Sequence, residues 1–291
     1  PRADYDMDTQ ITRSRQYSAR FQRGLRDIPT LSVTGEADDF FGPNGIYVDT
    51  QNRSIEASVS AEYFHPDPTT DGVNIEGGFQ IDCGVKLQGG ASRNPGSSIK
   101  HSLSLRFRDL YGPGKLNYPV FEGTSVTTFD SIHLRAMYNN SWHHSNSGQR
   151  ARATMIRDQW ARDCMIAMGN ADGGHGHFVH LYLNGLYWGV YNLHERLEND
   201  HYAAYNGFED DEVLGLNPGR LTSEESSSFN SMKSLVANTR TTWARIQRVI
   251  DVDNYIDFVI AEYFGRNADL KNNDNWRAAG GGAANAPWRF Y

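Results

Sequence analysis

The stretch KLQGGASRNPGSSIKHSLSLRF, Lys86–Phe107, joins the end of one alternating segment to the start of another through a turn-rich run, residues 89–98, dominated by Gly and Ser. In its second half Ile99, His101, Leu103, Leu105 and Phe107 fall on one side, and Lys100, Ser102, Ser104 and Arg106 on the other. That is the spacing of a strand, in which successive side chains point to opposite faces. Two cations then share a face beneath a flexible flap. Small residues let backbone N–H groups approach an anion, and a lysine supplies a point charge for a phosphate oxygen. Two readings stand, a phosphate cover and an ordinary solvated hairpin connection. The order G-x-x-x-x-G-K-[ST] is absent and no helical pattern follows the glycines, so this is not a P-loop.

Outward from this stretch, β-type runs at IPTLSV, Ile55–Phe64, Phe79–Gln88, Ile99–Phe107 and Ser131–Ala136 are separated by turn clusters such as HPDPTTDG and DLYGPG. They predict an antiparallel sheet. Residues 1–28 read as a polar, Arg-rich arm with a short helix, and 29–291 as one domain. The run ATMIRDQWARDCMIAMG places Ile156, Trp160, Cys164 and Ala167 at helical spacing and ends at Gly169, a C′ residue. In HFVHLYLNGLYWGVYNLHE the pair Asn184-Gly185 between two apolar runs predicts a type I′ hairpin. Helices are expected over Glu224–Asn238 and Asp253–Phe264, the second stopped by Gly265. GGGAANAP reads as the turn of a hairpin from Trp276 into Trp288–Tyr291. The fold class is therefore α+β, with an antiparallel β-rich N-terminal half and a mainly helical C-terminal part whose last unit reads as cut short.

The 291 residues, 38% apolar and 12% aromatic, suffice for a large core, so disorder is not the default. A formal charge of −7 and no run of Lys/Arg argue against nucleic acid as a partner. No stretch reaches the roughly 18 to 20 apolar residues of a membrane span. PRADYDMD has no signal-peptide pattern, which suggests a mature or excised domain. Cys83 and Cys164 read as two buried thiols rather than a disulfide.

A second polar constellation is GRNADLKNNDNWR, where Asp269, Asn273, Asp274 and Asn275 concentrate oxygen ligands. A carboxylate that accepts a hydroxyl proton, followed by a carboxamide that holds Mg²⁺, is what phosphoryl transfer needs. An Asx-rich turn is the competing reading. HGHFVH tempts a metal reading, but His180 faces away from His175 and His177, so structural histidines are favoured. His143 and His144 are placed in a loop, and SEESSSFNS reads as a helix start with solvated serines.

PTLSV, FGPNGIYVD, the GGASR loop with IKHSLSLRF, LRAMYNNSW, MIRDQWARDCMIAMG, VHLYLNGLYWGVYNLHER and the N-A-D…N-W loop occur in one order that resembles the CotH kinase family, the spore-coat-protein-H-like proteins. The resemblance covers residues 29–291. It implies an atypical, protein-kinase-like two-lobed fold that uses ATP with Mg²⁺ or Mn²⁺ to phosphorylate serines of a Ser-rich protein partner. Lys100 matches the lysine expected to hold ATP phosphates, a solvated strand lysine being the alternative. Gly89, Gly90 and Ser92 would form the phosphate flap, and Arg106 shares the face as a cofactor-side or structural cation. Glu195 matches an acidic position near the nucleotide; an ion pair with Arg196 or a neighbouring helix competes. Asp269 matches the catalytic-loop aspartate and Asn275 the metal-holding asparagine, with Asn273 as the second choice. Arg157 reads as structural. The family's Trp-Asp segment, counterpart of a metal-binding aspartate, is expected beyond Tyr291, so the chain reads as truncated with a weakened metal grip. The resemblance also implies an extracytoplasmic place, at a coat or surface. A catalytically inactive scaffold or adhesin is the alternative, and a nucleotide-binding pseudokinase a third.

Overall fold

The computed structural model describes residues 9–67, 72–218, 220–270 and 275–291. It falls into two compact units. The first comprises the chain up to Val120 with Thr127–Ile156 and Gly176–His194; the second comprises Phe121–Val126, Arg157–His175 and Glu195–Tyr291.

The first unit is built on strands β1 (Thr30–Gly35), β2 (Ala57–Asp67), β3 (Gly72–Gln88) and β4 (Ser102–Arg106). A two-stranded ribbon of β5 (Leu116–Asn117) and β6 (Thr128–Phe129) precedes β7 (Ser131–Arg135), β8 (Gly176–Leu183) and β9 (Leu186–Glu195). The strands close in the order β1-β2-β3-β4-β7-β9-β8. The antiparallel sheet expected from the alternating runs is present. Its closure through a parallel β1–β8 pair, with Leu31 opposite Leu181, is not something local alternation can signal. Alternate residues Leu31 and Val33, Val59 and Ala61, Cys83 and Val85, Leu103 and Leu105, Ile132 and Leu134, Leu181 and Leu183 are all buried. This is the inward-facing set that fills a small barrel. Closure also removes exposed edges, which an open sheet would leave as unpaired backbone.

The β8–β9 hairpin turns at Asn184 (φ 48°) and Gly185 (φ 78°), the two left-handed residues a type I′ turn requires. The helix Ser18–Asp27 belongs to this unit. His180 Nε2–H donates to the Gly24 carbonyl at 2.8 Å, so the stretch read as an arm is tied to β8.

The second unit carries the helices Arg157–Ala167, Asn199–Asn206, Ser223–Ala237 and Val252–Phe264, and a three-stranded sheet of β10 (Leu214–Leu216), β11 (Ala278–Gly281) and β12 (Ala286–Phe290). The hairpin read from GGGAANAP is the β11–β12 pair. Met165, Leu216, Met232, Phe258, Trp288 and Phe290 share its core. Thr222 and Glu225 form a reciprocal capping box at the start of Ser223–Ala237, and Asp251 caps Val252–Phe264.

The helix Arg157–Ala167 ends in a Schellman motif: the N–H of Gly169 (φ 103°) reaches Ile166 O and that of Asn170 reaches Met165 O. Its buried face is not the expected one. Gln159 and Met165 are buried, while Trp160 is exposed and Ile156 lies outside the helix, also exposed. Trp160 instead stacks on the ring of Phe264, centroids 6.1 Å apart. Both cysteines are free, Cys83 buried and Cys164 half-buried. Burial, then Asp82 and Glu56, pushes the Cys83 thiol up to about 12.

Candidate functional site

Strand β4 begins at Ser102, so Lys100 sits in the connection and not in the strand, and Ile99 is exposed rather than aligned with Leu103. The connection itself is no flexible flap. The buried Arg93 donates to three carbonyls, Nε to Thr50 at 2.6 Å, Nη1 to Leu87 at 2.9 Å and Nη2 to Asn52 at 2.7 Å. His101 Nδ1–H holds the Ser92 carbonyl at 2.9 Å, and Arg53 holds that of Gly89 at 3.1 Å. The arginine bonds are charge-assisted, and such bonds are roughly twice as strong as neutral ones. Gly89 (φ 116°) holds a backbone conformation that disfavours a side chain, and a Cβ there would stand 2.1 Å from Ser92 Oγ, which would have to turn aside. A Cβ on Gly90 would meet nothing. The arginine in GGASR was the available signal for this rigidity, and a composition-based reading passes over it.

Lys100 Nζ donates to the Val190 carbonyl at 2.5 Å and lies 4.2 Å from the centre of the Tyr191 ring. Among the described residues no carboxylate pairs with it. The space it occupies exists because residue 189 is glycine (φ 104°), at a bulge in β9 where Leu181 faces Gly189 and Tyr182 faces Tyr187. A Cβ on Gly189 would come 3.3 Å from Nζ. Burial pulls the Lys100 ammonium down to about 8, so it keeps its charge at neutral pH although it is partly withdrawn from water.

Arg106 closes the other end of β4, opposite Gly84. With roughly 3.3 Å per strand residue, it is too far along to share one phosphate group with Lys100. The structure does not bring these two cations together.

Glu195 ends β9 with Tyr191 and Leu193 on its face, all three buried. Its carboxylate accepts the His175 backbone N–H at 2.7 Å and the Tyr205 hydroxyl at 2.8 Å, with His201 Nδ1 at 3.8 Å. Burial alone would raise its pKa, but the charge on His201 and the bonds from His175 and Tyr205 together hold it below the ordinary carboxylate range. Arg196 pairs with Glu198 at 2.5 Å instead, so of the two structural readings the neighbouring helix, Asn199–Asn206, is the one observed. Burial, then Glu195 itself, drives the Tyr205 hydroxyl far above its usual value.

Beside this acid lies a network absent from the sequence reading. Arg289 of β12 binds Asp172 through Nε and Nη2, each at 2.8 Å, and also contacts Asp251 and the Asn170 side chain. Tyr291 donates to Asp172 at 2.6 Å. No spacing pattern marks residues this far apart in the chain.

Asp269 and Asn275 are both exposed, and Asn275 Nδ2 donates to the Asp269 backbone carbonyl at 2.9 Å, so the loop does bring them together. Asn267 Oδ1 accepts the Asp269 N–H in an Asx turn. The turn and the two oxygen-bearing side chains coexist, and Asn275 adopts φ 63°. Asn273 lies outside the described residues. Among the described residues no group of three or more His, Cys, Asp or Glu could hold a metal alone. A carboxylate and a carboxamide oxygen are the ligand types that a hard cation such as Mg²⁺ takes beside phosphate oxygens and water. The three histidines are structural: His177 bonds Tyr63 OH at 2.9 Å, burial drawing it down to about 4; His180 bonds Gly24 and Tyr187; His175 bonds Glu195.

The family model described as CotH kinase protein matches residues 85–290, a span containing every candidate residue above. A comparison with curated proteins finds no match.

Proposed function

The chain belongs to the CotH kinase protein family, and from that premise we propose that it transfers the γ-phosphate of ATP to serine residues of a partner protein. The observation that carries the reading is Lys100, a partly desolvated ammonium beside a rigid Gly/Ser turn, bound among the described residues to a carbonyl and a ring. A phosphate oxygen is a better partner for it than either. Gly89, Gly90 and Ser92 would present backbone N–H groups to the same phosphates. Asp269 would orient the acceptor hydroxyl and take its proton. Asn275, with Asn273, would hold Mg²⁺ or Mn²⁺, which supplies neutralisation of phosphate charge. Glu195 acts in this reading by fixing His175, His201 and Tyr205, since both its oxygens already accept hydrogen bonds. Arg106 is a structural cation of β4. The kinase-like two-lobed arrangement and an extracytoplasmic setting are part of the same proposal; no helix among the described residues is long and apolar enough to cross a membrane.

The test is incorporation of label from γ-labelled ATP, with Mg²⁺ or Mn²⁺, into a Ser-rich acceptor. Wild-type protein is expected to transfer, with Asp269→Asn and Lys100→Met at least about a hundredfold slower, in line with loss of a positioned base or charge. Wild type and Asp269→Asn giving the same rate overturns the reading. A non-catalytic scaffold is the second reading, favoured by the exposed apolar row Ile256, Ile260, Tyr263 and Phe264. A scaffold that binds no nucleotide shows no thermal shift with Mg²⁺–ATP, whereas a binder gains about 2.7 kcal/mol at a hundredfold excess over Kd.

A further inference from the structure

Within the first unit a groove of about 310 Å³ runs between the second half of the Gly/Ser turn, Pro95–Ile99, and the segment Trp142–Ser145, with Arg150 at its end. It is open to solvent rather than enclosed. Although the protein carries a formal charge of −7, no Asp or Glu lines this groove. Its polar lining can donate: the Ser97 and Ser145 hydroxyls, the His143 ring and the Arg150 guanidinium. Arg150 spends one nitrogen, Nη1, on the carbonyls of His144 and Ser145 at 2.8 and 2.7 Å, which fixes the guanidinium plane at the groove. Its Nε and Nη2 have no partner among the described residues. Lys100 is near enough for its charge to act on His143. Alongside the donors, Ile99 and Trp142 are 68% and 62% exposed and form an apolar shelf.

An acid-free set of donors with a forked guanidinium fits a phosphate monoester dianion. The openness to solvent and the apolar shelf fit an extended peptide rather than an enclosed small molecule. The groove also lies on the opposite half of the turn from Gly89–Ser92, which the nucleotide reading already uses. We propose that this groove is a binding site for phosphoserine in an acceptor segment, so that a serine already modified anchors the chain while another is presented. The inference rests on the serine-kinase reading but involves no turnover.

The experiment is fluorescence anisotropy of a labelled Ser-rich peptide, with and without one phosphoserine, added to wild-type protein without nucleotide. The phosphorylated peptide is expected to bind at least about tenfold more tightly, the increment of one charge-assisted contact. Arg150→Gln should abolish the preference. If circular dichroism shows that this variant does not fold, the pair His143→Gln with Ser97→Ala takes its place and should reduce the preference at least about threefold. Equal binding of the two peptides overturns the proposal. So does displacement of the phosphopeptide by AMP or inorganic phosphate at equal concentration, which assigns the groove to a free phosphate. Label transfer in the kinase assay with no phosphopeptide preference sinks this inference alone; absence of transfer sinks the kinase reading independently.

Discussion

Replacing Lys100 with methionine is expected to change how stability depends on pH, with a sign set by the burial of the ammonium. In the folded protein the lysine titrates at about 8 and in the unfolded chain at about 10.5, so its folded value is depressed. Below the folded value both states bind the proton and the fold bears the full cost of desolvating it. Between the two values the unfolded chain binds more protons, and stability rises with pH. The contribution is therefore complete above the unfolded value and lost as pH falls through the folded one. Integrating these two titrations from about pH 7 to about pH 9.5 yields roughly 2 kcal/mol, an upper figure because the side chain is only partly buried. Lys100→Met has no such group, so subtracting its curve cancels the other titrations. Urea unfolding of both proteins at the two pH values measures the difference. Wild type should gain on the variant by about 1–2 kcal/mol on the alkaline side. A constant difference, within about 0.5 kcal/mol, refutes the burial argument and restores the solvated lysine.

Four further outcomes follow from the same contacts. Asp172→Asn removes the carboxylate that Arg289 and Tyr291 share, and should lower stability by about 2 kcal/mol in denaturant melts, because a half-buried guanidinium loses a charged, buried partner; an effect under about 0.5 kcal/mol assigns the anchoring to Asp251. Gly89→Ala puts a Cβ on a residue held at positive φ and pushes the Ser92 hydroxyl aside, so it should weaken Mg²⁺–ATP binding in a thermal-shift titration and cost about 1–3 kcal/mol, while Gly90→Ala changes neither; equal effects would show that the turn is not rigid. Thr222→Ala breaks the capping box and should cost about 1 kcal/mol by urea melt. The folded pKa of Glu195 is depressed, so the stability it contributes is present above the ordinary carboxylate value and lost as pH falls through its lower folded value; wild type should lose ground to Glu195→Gln across that acid window, and parallel acid unfolding curves would contradict it.

Where the chain's local chemistry was decisive, the sequence was sufficient. Asn184-Gly185 dictates its turn because few other residues tolerate two successive positive φ angles. Gly169 ends its helix, and the two strands flanking the Gly/Ser turn were legible as strands, although the second begins at Ser102 and not at Ile99. The neighbourhood of Asp269 and Asn275 was also legible, since with only five residues between them the chain cannot carry them far apart. The face of Arg157–Ala167 was not, because apolar spacing cannot tell a buried row from one that, like Trp160, packs sideways on another exposed ring.

Tertiary structure alone decided the rest. Pairing β1 with β8 closes the barrel across about 150 residues of chain, and nothing in either strand encodes its partner. Packing of the connection before β4 against β9 puts Lys100 over Tyr191 and beside Gly189, and so withdraws from water a cation that could also be read as solvated. Arg289 meets Asp172 only because β12 folds back beside the end of another helix. By itself the sequence determined which residues carry charge, which turns they form and which family order they follow. Burial, which sets the strength of each charge, depends on what the rest of the chain packs against it.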